Sequence, residues 1–189
     1  MQERRVHAAP LSGGPGEPGH PRRHRVPFFA TAAVVVALDQ LTKQLALMRL
    51  DDGPIDLVGS LRLKLAFNDG AAFSLGSGRT VVITAIASVV AVVLVRMGWR
   101  ADRPIWATGL GVVLGGAAGN LVDRYLRAGD GFGAGHVVDF VDLQWWPVFN
   151  VADVALWVGI GLLFLSSWRE HDPDPDGEPA ADDGSAVAS

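Results

Sequence analysis

The sequence predicts an all-α membrane protein with four transmembrane helices, a small extracytoplasmic β platform and a flap-like outer connection. Of its 189 residues, 49% are hydrophobic, and the mean hydropathy is +0.27. Crossing the hydrocarbon core of a bilayer takes roughly 20 largely apolar helical residues. A soluble helical bundle is disfavoured, because the stretch 80–95 offers no charged face to water. Four segments are long and apolar enough to span: Phe28–Leu47, Thr80–Met97, Pro104–Val122 and Phe149–Trp168.

The two ends of the chain differ in composition from the segment between them. Residues 1–27 carry arginines among Gly and Pro, and residues 169–189 are rich in Asp, Glu, Pro and Gly. Neither composition can bury a core, so we expect a basic and an acidic disordered tail around a membrane domain at 28–168. The formal net charge of −4 comes largely from the acidic tail and gives no indication of nucleic acid binding. The chain has no cysteine, which excludes disulfides, thiolate catalysis and cysteine-ligated metals.

The first span has two readings. A basic region followed by an apolar run is typical of a secretory signal peptide. Asp39 and Lys43 interrupt this run, however, and no small-residue cleavage site follows, so a transmembrane helix is favoured. Because the two charges lie four residues apart on one helix, an ion pair explains them as well as a functional role does.

Arginines predict the orientation of the spans. Arg96, Arg100 and Arg103 crowd the loop between the second and third spans, and the N-terminal tail adds more. Basic residues in short flanks favour the cytoplasmic side. We therefore expect both termini in the cytoplasm and the connections 48–79 and 123–148 on the outer face, although basic residues there weaken the bias.

The first outer connection has a period-two pattern. Leucines at 61, 63 and 65 and a phenylalanine at 67 alternate with Arg62, Lys64 and Ala66, which predicts a strand with one wet face. The turn-prone stretch FNDGAAFSLG, 67–76, follows and contains Asn68, Gly70 and Ala71.

In the third span, Gly111, Gly115 and Gly119 recur at intervals of four, which favours close helix packing. A phosphate-binding loop is disfavoured, because no lysine follows these glycines.

Several acids lie where charge is expensive. Inserting a charged side chain at the centre of a membrane helix costs about 2.5 to 3.5 kcal/mol on insertion scales. Such a residue is retained where it forms an ion pair or has a functional role. Asp153 lies a few residues into the fourth span, after Asn150, and Asp139 lies in the apolar run HVVDFVDL. Two opposed carboxylates can share one proton, so that one activates water while the other polarises a carbonyl. This is the chemistry of an aspartic peptidase.

Other chemistries fit less well. The chain lacks GxSxG and HExxH, and His136 is the sole histidine outside the tails, so a serine triad and a metal hydrolase are disfavoured. A proton-coupled carrier using the acids as a relay stays open, although carriers usually show internal repeats and broken helices. A non-catalytic membrane scaffold is a third possibility.

Five segments together resemble the bacterial lipoprotein signal peptidases, or signal peptidase II. They stand in the family's order as DQLTK (39–43), FNDGAAFS (67–74), GNLVDR (119–124), VVDF (137–140) and FNVAD (149–153). The resemblance implies a four-span aspartic peptidase that cuts diacylglyceryl-modified prolipoproteins before the lipidated cysteine, at the outer face of the cytoplasmic membrane. It implies no cofactor, metal or obligate protein partner.

The resemblance also implies roles for individual residues. The catalytic pair matches Asp139 and Asp153, with Asp123 as the alternative partner of Asp153. Asn68 is expected to face the two acids across a cleft and to hydrogen-bond the backbone of the bound substrate, while Gly70 and Ala71 let the substrate come close. The glycine-rich segment 125–136 is longer than the family's usual link and is expected to be a mobile flap, and Trp145 and Trp146 are expected to anchor at the interface. The expected substrate-contacting and supporting residues are Asp39, Lys43, Asn68, Gly70, Asn120, Asp123, Arg124 and Asn150.

Overall fold

A computed structural model of the chain describes residues 24–70, 78–127, 129 and 131–168. Within them all four helices are long and apolar enough to cross a membrane, which confirms the predicted architecture. Ala71, most of the predicted basic tail and all of the predicted acidic tail lie outside the described residues. The elements in chain order are α1 (Arg25–Arg49), β1 (Ile55–Val58), β2 (Leu61–Asn68), α2 (Gly78–Trp99), α3 (Pro104–Leu126), β3 (Val137–Asp142) and α4 (Val151–Trp168).

The helix ends differ from the predicted ones. Helix α1 begins at Arg25, inside the predicted tail, and α3 continues to Leu126 rather than ending at Val122. The charged residues that suggested an end at residue 122 are Asp123 and Arg124. Both have partners inside the protein, so they do not terminate the helix. Helix α4 begins at Val151 rather than at Phe149, because the side chain of Asn150 caps it.

Helix α3 is the central helix, and its glycines explain why. A Cβ atom on Gly111 would lie 2.5 Å from the carbonyl oxygen of Phe28, and one on Gly115 would lie 2.5 Å from Cβ of Val35. These glycines therefore allow α1 to approach α3 more closely than any other residue would. Gly116, on the opposite face, allows the same approach to α4. The predicted packing role is confirmed.

The β platform is an antiparallel sheet in the order β1-β2-β3. Its middle strand, β2, is the one that alternation predicted, and Leu63 and Leu65 pack against a buried cluster formed with Leu50 and Phe140. Strand β3 comes from the connection between α3 and α4 and was not predicted as a strand. Its register places Ala66 opposite Asp139, so the sheet joins the α1–α2 connection to the α3–α4 connection at that acid.

The described part of the glycine-rich connection is attached to the helix bundle. Gly129 and Gly135 form an antiparallel bridge, and the N–H of Gly135 donates to the carbonyl of Arg124 at 3.0 Å. The hydroxyl of Thr84 donates to the carbonyl of Gly133 at 2.7 Å, which connects this segment to α2. The predicted flap therefore has fixed points at both α2 and the end of α3.

A buried ion cluster links α1 to α3. The ammonium group of Lys43 lies 2.8 Å from Oδ2 of Asp39 and 2.9 Å from Oδ2 of Asp123, and all three side chains are fully buried. The other oxygen of Asp39 accepts the backbone N–H of Ala152 at 2.9 Å, so the cluster also reaches α4. The predicted Asp39–Lys43 pair is thus confirmed as part of a larger network.

We expect Gly115→Ala to lower the thermal unfolding temperature in detergent, by an amount equivalent to about 1 to 3 kcal/mol. The added Cβ would lie 2.5 Å from Val35 and 2.9 Å from the carbonyl oxygen of Ala32, so α1 would have to move. The matched control is Gly161→Ala in α4, where a Cβ meets nothing within 4 Å. That variant should be neutral or slightly stabilising, because alanine favours helix. Equal effects of the two substitutions would contradict the packing role.

We expect Lys43→Met to destabilise the protein by about 3 to 5 kcal/mol, because it removes the cation that the buried Asp39 and Asp123 share and leaves Asp123 with Arg127 alone. The same substitution at the exposed Lys64 of β2 is the control and should change stability by less than about 0.5 kcal/mol. The measurement is the free energy of unfolding in detergent or bicelles. A similar small effect at both lysines would show that the cluster does not hold the bundle together.

Candidate active site

Strand β3 and the turn after it bring the motif VVDF next to FNVAD. The carboxylate of Asp142 accepts the backbone N–H of Gln144 at 2.7 Å, and Gln144 adopts a positive φ of 67°, so the chain turns sharply. Phe149 then pairs with Val141 through backbone hydrogen bonds. The residue after Phe149 is Asn150, which therefore begins α4 beside Asp139.

Asn150 and Asp153 form a reciprocal cap at the start of α4. The side-chain oxygen of Asn150 accepts the N–H of Asp153 at 3.1 Å, and Oδ2 of Asp153 accepts the N–H of Asn150 at 3.2 Å. This is a capping box, with an acid three residues after the cap. A carboxylate in the first helical turn also interacts favourably with the helix dipole. The spacing N-x-x-D in the sequence could have predicted this arrangement.

Asp139 is 2% exposed and held by two amides. Nδ2 of Asn68 donates to its Oδ2 at 3.0 Å, and Nδ2 of Asn150 donates to its Oδ1 at 2.6 Å. Asn68 reaches it as a diagonal cross-strand neighbour, because Ala66 is the residue directly opposite. Burial raises the pKa of Asp139 to about 6, and the hydrogen bonds from the two amides oppose this rise.

Asn120 connects the ion cluster to the two acids. Its Oδ1 accepts from Lys43 at 2.9 Å and from Asn150 at 3.1 Å, and its Nδ2 donates to Oδ1 of Asp153 at 2.9 Å. Because the acceptor contacts fix which way the amide faces, Nδ2 is directed at the carboxylate of Asp153. Lys43 therefore orients Asn120 without contacting either Asp139 or Asp153 directly.

Asp139 and Asp153 line the same cavity, which has a volume of about 290 Å³. Its polar end is formed by the two acids with Asn68, Asn120 and Arg124. Its remaining wall is apolar and lies between α2 and the α3–α4 pair. The cavity therefore places two carboxylates, several amides and an apolar channel in one space; its apolar lining includes Ile83, Ala87, Val90, Ala117, Leu121 and Leu156.

Arg124 supports the backbone around the cavity. Its guanidinium donates to the carbonyl oxygens of Asn68 and Gly135, each at 3.0 Å, and so ties the end of β2 to the glycine-rich connection. Gly70 has a positive φ of 78°, and its N–H donates to Oδ1 of Asn68 at 2.7 Å. A Cβ on Gly70 would lie 2.7 Å from Ile83, so a glycine is required there both by its backbone and by space.

Asp123 lies outside this cavity lining and has other partners. Its Oδ1 accepts from Gln40 at 3.2 Å and from Arg127 at 2.7 Å, and its Oδ2 accepts from Lys43 and from the backbone N–H of Val138. Four donors satisfy the acceptor capacity of a carboxylate. Of the two acids that the sequence left as candidates to oppose Asp153, the geometry favours Asp139.

Sequence reasoning missed several supporting residues. Gln40 donates to Asp39, to the carbonyl of Gly119 and to Asp123, although it stands within the DQLTK motif. Arg127 follows Asp123 by four residues on a helix, a spacing that predicts their ion pair. His136 lies 2.7 Å from Oδ1 of Asp69 rather than standing alone in a loop. No helical or strand periodicity indicates the His136 contact.

Among the described residues no group of three or more His, Cys, Asp or Glu side chains is arranged to hold a metal ion.

Comparisons with known proteins identify the family of the chain. Residues 31–169 match the family model described as Signal peptidase (SPase) II. A protein from Rhodococcus jostii RHA1 named lipoprotein signal peptidase is 46% identical over 167 residues, covering 87% of this chain and 83% of that protein. One of the same name from Mycobacterium tuberculosis H37Rv is 46% identical over 173 residues, covering 90% and 85%.

Solved structures show the same fold. One, described as a bacterial membrane enzyme, aligns with a TM-score of 0.65 at 26% identity and covers 76% of this chain and 93% of its own. Another with the same description gives a TM-score of 0.66 at 25% identity. Because the family model spans most of the chain and the relatives are close over most of their length, the chain belongs to the signal peptidase II family.

Proposed function

We propose that this protein is an aspartic endopeptidase in which Asp139 and Asp153 hydrolyse the peptide bond before a lipidated cysteine. As a member of its family, it is a multi-pass membrane protease that removes signal peptides from lipoproteins. The observation that carries the aspartic assignment is that Asp139 and Asp153 line one cavity and are joined through Asn150, which donates to both.

In the proposed mechanism the two acids have different protonation states. Asp139 has a raised pKa because it is buried, so it holds the proton of the pair. Asp153 lies in the first turn of α4, where a negative charge is stabilised. Asp153 therefore acts as the base, and Asp139 donates a hydrogen bond to the scissile carbonyl.

The proton transfers balance without a covalent intermediate. Asp153 takes a proton from water, and the oxygen of that water attacks the carbonyl carbon while Asp139 protonates the carbonyl oxygen. When the tetrahedral intermediate collapses, Asp153 gives its proton to the leaving nitrogen and Asp139 recovers its own. The same two groups serve both steps, as expected for an aspartic pair.

The polar residues around the pair have supporting roles in this proposal. Asn68 and Asn150 hold the carboxyl group of Asp139, and Asn120 orients that of Asp153. Gly70 has an indirect role, because the absence of a side chain lets Ile83 and Arg124, which line the cavity, approach the end of β2. Arg124 acts indirectly, because it holds the carbonyl of Asn68 rather than an acid.

The proposal includes a membrane orientation. The arginines of the loop between α2 and α3 favour the cytoplasmic side, and the catalytic cavity lies at the opposite ends of these helices. Both termini then face the cytoplasm, and the active site opens toward the extracytoplasmic face. Its substrates are prolipoproteins, and we propose that they carry a diacylglyceryl group at the cysteine after the cleaved bond.

We expect Asp139→Asn and Asp153→Asn each to lower the rate of cleavage of a diacylglyceryl-modified prolipoprotein by about 100-fold to 10,000-fold, the usual contribution of an acid or base. The matched control is Asp142→Asn. This acid lies on the same strand, but its carboxylate accepts the backbone N–H of Gln144 and forms an ion pair with Arg62. These two contacts hold the pKa of Asp142 below its usual range.

Purified variants would be compared by a gel-shift cleavage assay, with thermal unfolding in detergent to verify folding. Full activity of a folded Asp139→Asn or Asp153→Asn protein would remove that residue from the pair. Loss of activity in Asp142→Asn as well would show that any acid on this strand is needed.

The raised pKa of Asp139 predicts the alkaline side of the pH profile. The value kcat/KM, which reports on the free enzyme, should fall as the pH rises through about 6, because Asp139 then loses its proton. Asn68 donates to the ionised carboxylate and so lowers this pKa. Asn68→Ala should therefore raise the pKa and move the alkaline limb to higher pH, whatever its effect on the maximal rate. A limb that stays in place or moves to lower pH would contradict the assignment of Asp139 as the proton donor.

A further inference from the structure

A second cavity meets the catalytic pair from the side of α4. It has a volume of about 680 Å³ and lies between α4 and the turn that connects β3 to α4. Trp145 and Trp146 form its upper wall, and Val154, Trp157 and Ile160 form the wall on α4. We call this space the α4 groove. It is distinct from the catalytic cavity, whose apolar wall belongs mainly to α2 and α3.

Asp153 lines both cavities. Any group bound in the α4 groove can therefore be continuous with a peptide bond held between Asp139 and Asp153. Of the described residues that line the groove, Asp153 alone carries an ionisable side chain. The groove is an apolar site with a proposed catalytic carboxylate at its mouth.

The α4 groove lies where an acyl chain of a bound lipid would lie, and it runs in the same direction. Trp145 and Trp146 are 72% and 54% exposed, as expected for tryptophans at the level of the lipid headgroups. Ile160 follows Asp153 by seven residues on α4, which places it about 10 Å further into the bilayer. The groove therefore extends from the interface into the hydrocarbon region, parallel to the helix.

Its chemistry favours a neutral lipid. A phospholipid headgroup would require a basic side chain, and none of the described lining residues is basic. The carboxylate of Asp153 would also repel a phosphate. A diacylglyceryl group has ester linkages and no charge, so it can lie at this mouth without an unpaired ion.

We propose that the α4 groove holds an acyl chain of the diacylglyceryl group on the substrate cysteine. This inference rests on the proposed function, because the lipidated cysteine follows the cleaved bond and its lipid must lie within reach of Asp153. The catalytic cavity on the α2 side then receives the signal peptide, so the two apolar parts of the substrate occupy separate spaces on either side of Asp153.

The test compares two substrates that have the same peptide sequence and differ in the length of their acyl chains. One carries a dipalmitoylglyceryl group and the other a dibutyrylglyceryl group on the cysteine. We expect Ile160→Trp to fill the deep end of the groove and to lower kcat/KM for the dipalmitoylglyceryl substrate by about five- to tenfold. The loss is moderate because a displaced chain enters lipid rather than water, so packing alone is lost. Cleavage of the dibutyrylglyceryl substrate should stay unchanged, since its chains end above Ile160.

Two matched variants control for bulk and position. Val158→Trp adds a large ring at an exposed position of the same helix that does not line the groove. This variant should leave kcat/KM unchanged for both substrates. Val90→Trp adds the ring on the α2 side of the catalytic cavity. If Val90→Trp, rather than Ile160→Trp, produces the chain-length-dependent loss, the lipid lies in the other cavity and the proposal is wrong. Equal loss for both substrates in Ile160→Trp, or no loss for either, would also overturn it.

A second measurement does not depend on cleavage. A dipalmitoylglyceryl peptide with a photoreactive diazirine at the end of one chain would be crosslinked to the folded Asp139→Asn protein, and the labelled residues would be identified by mass spectrometry. We expect labelling around Trp157 and Ile160 and its loss in Ile160→Trp. Labelling on α2 instead would reject the groove assignment. Failure of the proposed function would be seen separately, as a wild-type protein that cleaves neither substrate.

Discussion

The ammonium group of Lys43 is the point on which the arrangement of the helices and the site depends. Its three N–H donors are matched by Asp39 from the same helix and by Asp123 and Asn120 from α3. An ammonium group with this many charged or polar acceptors has no free donor left, which is the condition for burying it. Asp39 also accepts a backbone N–H from the first turn of α4. The cluster around the single cation of Lys43 therefore fixes the relative positions of three helices.

This arrangement requires α1 and α3 to lie close together, and the glycines of α3 allow that close approach. A Cβ on Gly119 would lie 2.5 Å from Oδ2 of Asp39, so a larger residue there would displace the carboxylate from Lys43. The close approach of α1 to α3 and the buried ion cluster are therefore one structural feature. In a bilayer, where apolar helices gain little from leaving lipid, close packing and polar contacts of this kind are what hold helices together.

The sequence predicted the parts of the structure that depend on local pattern. Four apolar stretches gave the spans, alternation gave β2, and the spacing of Asp39 and Lys43 gave their ion pair. Strand β3 was not predicted, because all of its residues are apolar or acidic and buried on both faces, so it shows no alternation. The partner of Asp153 was also left open between Asp123 and Asp139, since both are acids beside apolar residues and neither spacing nor composition states which donors surround them.

The partners of each acid, rather than its burial, distinguish the acids at this end of the bundle. Asp39, Asp123 and Asp139 are almost equally buried, yet the first two are paired with Lys43, whereas the hydrogen bonds described for Asp139 come from the neutral amides of Asn68 and Asn150. The neutral donors stabilise a negative charge less than a cation does, which leaves desolvation as the largest influence on Asp139 and raises its pKa.

The cation of Lys43 must also be kept from acting on Asp139. Among the named influences on the pKa of Asp139, the attraction of Lys43 is the smallest. The charge of Lys43 is also balanced by the adjacent carboxylates of Asp39 and Asp123, at 2.8 and 2.9 Å. If both acids were neutral, the unbalanced charge of Lys43 would lower the pKa of Asp139 and favour loss of the proton that the proposed reaction requires. Asp39 and Asp123 thus have two effects that arise from the same contacts: they allow a lysine to be buried where it aligns three helices, and they prevent that lysine from ionising the neighbouring acid.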